Sequence, residues 1–412
     1  MNSNDSAVLD EPMIDIDANR RLLNRYRYIE QETMRIFAGW LPATALFELK
    51  CEYGRTIWES SQHVNALYLR LREIQSPAFQ KPADPAIIRL MQEMLHAPNE
   101  IALAVAYWRV LKPAVIAAMK NHAETTFPNT DLPSVYALDH IVLDQEAQAK
   151  RMESLLAQFQ KQGRIDATVL TWEKYTRELL AAAGGVTGDE ARPAGTPVAP
   201  AVRKNFVFPR EVARDQRFTN LGGDVGMGSR PPEEDYEAHT RMEFERYSTE
   251  MLAAETVADV MFHVTDMPWE FQHDSARHLY DEVRHCLIGY DWLKRHGGDP
   301  FSTPQFLQVF KWRTRFTPVQ QYCMLTMGNE VNAFPYRHRR LAAHEKSGDR
   351  YSEQQVRYDV ADETQHVRFG NRWLPEMIKA VGEPRSFEKF TADVMEIWNT
   401  QYKTGKYPVQ VE

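Results

Sequence analysis

Apolar positions in this chain recur every three to four residues over long stretches, as in "FELKCEYGRTIWESSQHVNALYLRLREI" and "EIALAVAYWRVLKPAVIAAMKNH". That spacing gathers apolar side chains on one face of a helix. Few segments alternate apolar and polar residues or concentrate Val, Ile and Thr, as strands do. The pattern therefore predicts an all-α protein. It is interrupted by "AAAGGVTGDEARPAGTPVAPA", which reads as a linker. The expected organisation is a disordered tail over 1–19, a helical domain over 20–182, a Gly/Pro/Ala-rich linker and surface strap over 183–235, and a second helical domain over 236–412.

In the second domain the periodicity predicts four long helices. The first covers 236–264. The second runs from about Pro268 to Arg295, where "HGGDP" stops it. The third opens at Thr317-Pro318, a cap followed by proline, and ends before Gly348. The fourth opens at Ser352, with Gln355 at capping-box spacing, and runs to about Gly370. Four such helices suggest a four-helix bundle.

Two of these helices carry the same short motif. "YDEVRH" contains Glu282 and His285, and "DETQH" contains Glu363 and His366. Residues i and i+3 share a helix face, so each pair can reach one point. One Glu-x-x-His is unspecific, but two in consecutive hairpins match a bundle that holds two metal ions, with one further Glu on each of the other two helices. Symmetry about the turn near Gly348 points to Glu330, the lone acid in "QQYCMLTMGNEVNAF". The same count about Pro268 points to Glu250, with Glu255 kept as alternative ligand or supporting group. The expected ligands are thus Glu250, Glu282, His285, Glu330, Glu363 and His366. Oxygen-rich donors with imidazole suit iron, or manganese, better than zinc. Asp281 and Asp362 are placed to accept the free ring N–H of the histidine across the bundle, and Arg284 to pair with one of them.

These motifs resemble those of the ferritin-like di-iron carboxylate superfamily, whose bacterial multicomponent monooxygenases share the Asp-Glu-x-Arg-His form. "TEMLAAET", "YDEVRH" and "HVRFGNRW" are also similar to an uncharacterised ferritin-like family. The resemblance spans roughly 240–375. It implies two iron ions (sometimes manganese) and dioxygen activation: an oxygenase or hydroxylase acting on an unidentified small organic substrate, with an unidentified electron donor. Its alternative is an iron-oxidising or metal-binding ferritin-like protein without an organic substrate. A structural bundle of ion-paired acids is the third reading.

The first domain aligns without gaps on the second from Phe47 against Trp269. His63 then falls on His285, but Ser60 stands opposite Glu282. In "LDQEAQAK", Gln145 and Gln148 meet Glu363 and His366 in one register; a shift of one residue brings in Glu146 but puts Ala149 at the histidine. The expected fold is therefore two tandem ferritin-like four-helix bundles, the first degenerate and without a metal site.

Other features narrow the class. The formal charge of −8 over 412 residues gives no basic footprint for nucleic acid. Three scattered cysteines, Cys51, Cys286 and Cys323, argue against disulfides and for the cytoplasm. No signal peptide and no run of about eighteen apolar residues is read, so no membrane span is expected. A homodimer is left open. His263, His273, His278, His338 and His344 are read as surface or hydrogen-bonded core residues, and "PYRHRRLAAH" as a solvated basic face. Tyr247, Tyr280 and Tyr322 are read as core packing, with a redox relay as the alternative.

Overall fold

The computed structural model describes residues 14–77, 82, 84–127, 129–221, 231–232, 234–402 and 404. Every regular element among them is helical. The chain forms two compact units, one of residues 1–36 and 59–207, the other of residues 37–58 and 208–412. Residues 37–58, expected in the first domain, thus group with the second.

The helices are α1 (Ile16–Trp40), α2 (Phe47–Glu73), α3 (Pro85–Met94), α4 (Glu100–Val105), α5 (Lys112–Thr125), α6 (Leu132–Lys161) and α7 (Ala167–Ala182). A π-helical turn, Ala106–Leu111, joins α4 to α5. Helix α1 starts inside the expected tail, where Asp15 caps the backbone N–H of Ala18; residues 1–13 lie outside the described residues. Glu100–Thr125 is, against expectation, long and apolar enough to cross a bilayer, but 67% of its most apolar window is buried in the unit. It is a core helix by its contacts, and it buries Lys112. Part of the expected linker is packed against the helices of the first unit. Val186 is buried and its carbonyl accepts from Arg25, and Arg203 pairs with Glu93.

The second unit holds α8 (Tyr236–Tyr247), α9 (Met251–His263), α10 (Trp269–Arg295), α11 (Leu307–Arg313), α12 (Pro318–Cys323), α13 (Val331–Ser347), α14 (Arg350–Ala380) and α15 (Phe387–Ile397). Thr317 and Gln320 form a full capping box on α12. Gly348 ends α13 with φ +76°, the left-handed conformation that glycine adopts without strain. Helix α14 differs from its expectation: Asp349, not Ser352, caps it, and it runs past Gly370 to Ala380. The strap residues Val212 and Phe218 are buried in this unit, so that part of the strap is integral packing.

Two expected helices are not continuous, and both breaks matter. The 236–264 helix breaks between Tyr247 and Met251. Gly289 of α10 faces this break: a Cβ there would lie 2.3 Å from the Ser248 nitrogen and 2.5 Å from the Phe244 carbonyl oxygen. The missing side chain lets the two backbones approach. The third helix contains a π-helical segment, Met324–Glu330, between α12 and α13. Such a segment turns the following side chains relative to a regular helix.

Two apolar clusters bracket the middle of α10 and α14. One includes Phe271, Tyr322 and Trp373, and the other Phe244, Tyr247, Trp292 and Val356. Along α10 and α14 the residues between them are the acids and histidines of the two motifs.

Candidate metal centre

Two groups of four side chains converge between these clusters. His278, Glu282, Glu330 and His366 form one, and Glu250, His285, Asp359 and Glu363 the other. Within each group one donor atom per residue lies within 4.8 Å of all the others. All six ligands expected from the sequence are therefore brought together.

Glu250 stands at the α8–α9 break, where the chain is not committed to the direction of α8. Glu330 closes the π-helical segment. Helix α10 carries His278, Glu282 and His285, and α14 carries Asp359, Glu363 and His366. Both sets have i, i+4, i+7 spacing, which is one helix face.

His278 and Asp359 were not expected as ligands. The sequence alone puts His278 among the surface or hydrogen-bonded core histidines. Instead, its Nε2 lies 2.9 Å from Glu330 Oε1 and 3.5 Å from Glu282 Oε1. Its ring stacks on that of His366, with centroids 3.9 Å apart. The signal was present: each lies one turn before a motif glutamate, making His-x3-Glu-x2-His and Asp-x3-Glu-x2-His.

The Glu282 carboxylate faces both groups. Its Oε1 lies 3.5 Å from His278 Nε2 and 3.5 Å from His366 Nδ1, while Oε2 lies 3.6 Å from His285 Nδ1. Many donor atoms here are buried without a well-aligned hydrogen bond to any described residue. They are both ring nitrogens of His278, Nδ1 of His285 and His366, both Glu330 oxygens, and Oε2 of Glu250 and Glu363. Buried polar atoms left so cost free energy unless something else binds them. Five carboxylates and three imidazoles form a donor set that fits hard or borderline divalent cations.

The outer ring nitrogens are held by acids of the opposite helix. His285 Nε2 lies 3.4 Å from Asp362 Oδ2, and His366 Nε2 lies 3.3 Å from Asp281 Oδ2. Each Nδ1 is thereby left pointing inward. Arg284 pairs with both aspartates, and so does Arg277, which the sequence reading passed over.

The electrostatics follow from burial and crowding. Burial pushes the Glu250 carboxyl up to about 7, against the pull of His285 and Arg337. Burial also carries Glu363 well above the ordinary range, with Glu330 and Glu282 adding to it. For Glu282 burial acts upward too, but His278 and His285 outweigh it and hold the carboxyl well below its usual value. Burial disfavours charge on His278, yet Glu330 and Glu282 raise it to about 9.

Glu255, the alternative ligand, belongs to neither group. It is fully buried against Lys50 and Arg214. Its position in α9, five residues past Glu250, turns it to another face.

The first unit has a polar core of different composition. His63 Nδ1 lies 3.2 Å from Glu30 Oε2, and Gln145 donates to Glu30 Oε1 at 2.8 Å. Lys112, the residue after the π-helical turn, lies 3.6 Å from the same oxygen. Counted from the start of each π-helical segment, Lys112 stands where Glu330 stands in the second unit. Gln145 and Gln148 are buried, whereas Glu146 is exposed and pairs with Lys120, which favours the register that sets Gln145 and Gln148 against Glu363 and His366. Both four-residue groups found among the described residues lie in the second unit.

No family model, curated protein or solved structure matches this chain.

Proposed function

We propose that the second unit is a ferritin-like bundle holding two metal ions, and that the protein is a di-iron (or manganese–iron) oxidoreductase that uses dioxygen on a small organic substrate. The carrying observation is the Glu282 carboxylate, whose two oxygens face the histidines of the two groups. A carboxylate so placed would serve both groups, whereas a single-ion site has no use for eight converging donors. A reduced pair of iron ions supplies the electrons for dioxygen chemistry.

The chain's own residues do the rest. His278, Glu282, Glu330 and His366 would hold one ion, and Glu250, His285, Asp359 and Glu363 the other. Asp281 and Asp362 fix both inward-facing imidazoles. The apolar clusters on either side limit water around the centre, which strengthens each charge interaction there. The first unit reads as a related bundle in which Lys112, Gln145 and Gln148 have replaced metal-binding residues. Its buried ammonium balances Glu30 in place of an ion.

The test is metal analysis followed by oxygen uptake. The purified protein is expected to hold about two iron or manganese ions per chain, and Glu282→Ala to hold less than half as much. Less than one ion per chain in both would sink the proposal. Oxygen uptake with a reductant that rises with one member of a small-molecule panel supports the oxygenase. Iron(II) oxidation unaffected by every compound would favour the iron-oxidising alternative.

A further inference from the structure

The two ion positions are not equivalent, and the difference lies in one arginine. Arg337 sits two turns after Glu330 on the same face of α13 and is buried. Its guanidinium contacts three of the four residues in one group. One terminal nitrogen lies 2.8 Å from Glu363 Oε1, 3.2 Å from Asp359 Oδ1 and 3.4 Å from Glu250 Oε1, while Nε pairs with Asp359 Oδ2. The same Glu363 Oε1 lies 3.8 Å from His285 Nδ1, so the arginine binds an oxygen that faces the donor atoms of the group. Tyr247 also donates to Asp359 Oδ2, at 2.8 Å.

The other group differs. Among the described residues the ion-pair partners of Glu282 and Glu330 are histidines alone. Arg277 and Arg284 serve Asp281 and Asp362, which lie behind the imidazoles. One position thus offers two imidazoles and two carboxylates with no arginine or lysine paired to them. Its neighbour offers one imidazole and three carboxylates that already hold one.

We propose that Arg337 acts as a resident counter-cation of the Glu250–His285–Asp359–Glu363 position, so that the two positions fill in order. The position built by His278, Glu282, Glu330 and His366 fills first. This rests on the reading of the two groups as metal positions. Arginine cannot shed its charge in a protein, so it does not yield by deprotonation. A second ion must share or displace the guanidinium at the same oxygens, and like charges a few ångströms apart repel strongly at low dielectric. The first position has no permanent cation to displace, because an imidazolium yields by losing its proton. Loading in steps would allow two different metals to be sorted, the softer imidazole-rich position taking the first.

The experiment is a titration of metal-free full-length protein with Mn2+ alone, read by manganese paramagnetic resonance and by calorimetry. The wild type should bind in two resolved steps. Arg337→Gln should tighten the second step by on the order of tenfold, leaving the first unchanged. Arg337→Lys, which keeps a cation and guards against misreading a folding defect, should follow the wild type. Asp359→Asn should weaken the second step only. A second step that weakens in Arg337→Gln would overturn the inference, because the arginine would then support the bound ion. Two equal steps in the wild type would overturn it as well, while leaving the metal centre standing. Absence of both Mn2+ binding and anaerobic Fe2+ binding in the wild type would instead overturn the metal reading, and this inference with it.

Discussion

Asp281 of α10 stands 3.3 Å from the outer ring nitrogen of His366 on α14. The converse contact, Asp362 on α14 to His285 on α10, is nearly the same length at 3.4 Å. Each helix thus orients the other's histidine. Such partners fix the imidazole tautomer and raise its basicity as a ligand. Asp281→Asn and Asp362→Asn are each expected to weaken metal binding roughly 10–100-fold. Each should act mainly at the position of the histidine it contacts. Chelator competition against each purified variant measures this, and unchanged affinity in both would remove the aspartates from the account.

His278 and Asp359 supply the fourth donor of their groups. His278→Ala is expected to lower bound metal at the position shared with Glu330 and to leave the other occupied. Asp359→Ala should do the reverse, and should also release Arg337 and Tyr247 from a buried acid. Metal counted per chain after dialysis checks both. A full complement of metal in His278→Ala would return that histidine to the role of core packing beside His366.

Much of this centre was readable from spacing. The repeated Glu-x-x-His and the hairpin count were enough to name Glu330 in an otherwise uncharged stretch, because a lone buried acid needs a partner. The helical pattern likewise placed α10 and the cap at Thr317. What escaped was local deviation from the regular helix. The break before Met251 and the π-helical segment before Val331 leave the 3.6-residue periodicity nearly intact, so the pattern does not reveal them. His278 and Asp359 escaped because each lies one turn outside a motif that was already complete. Glu255 could be set aside only with the structure, since its partners Lys50 and Arg214 are remote in sequence. The grouping of residues 37–58 with the second unit has the same origin.

Glu255 itself gives a clean contrast with the proposed ligands. It is buried between Lys50 and Arg214, both nearly inaccessible. Burial depresses the Lys50 ammonium to about 8 despite the neighbouring carboxylate. Glu255→Gln would leave two buried cations without their acid. Breaking a buried pair in this way typically costs about 3–5 kcal/mol. The expected result is a large fall in the urea midpoint, with metal per folded chain unchanged. Lys50→Met in the same background should recover part of the loss. Metal lost in proportion to Glu255→Gln, without a stability change, would restore Glu255 as a ligand.

The polar core of the first unit predicts an acid-limb signature. Burial acts against the Glu30 carboxylate, but Lys112 and His63 outweigh it and hold it at about 2, below its ordinary 4.5. A carboxyl depressed on folding contributes stability that is present above the unfolded value and is lost as pH falls towards the folded one. The window is therefore about pH 4.5 to 2, and the contribution is on the order of 3 kcal/mol. His63 works in the opposite sense. Its raised value favours the folded state below its ordinary 6.5 and withdraws that support only at higher pH, outside this window. The stability gap between wild type and Glu30→Gln, taken from urea midpoints, should thus be steady from pH 6 to 5 and shrink steadily below pH 4.5. A gap that stays constant down to pH 3 would mean that Glu30 is not charged in the folded core, and that Lys112 has no carboxylate to balance it.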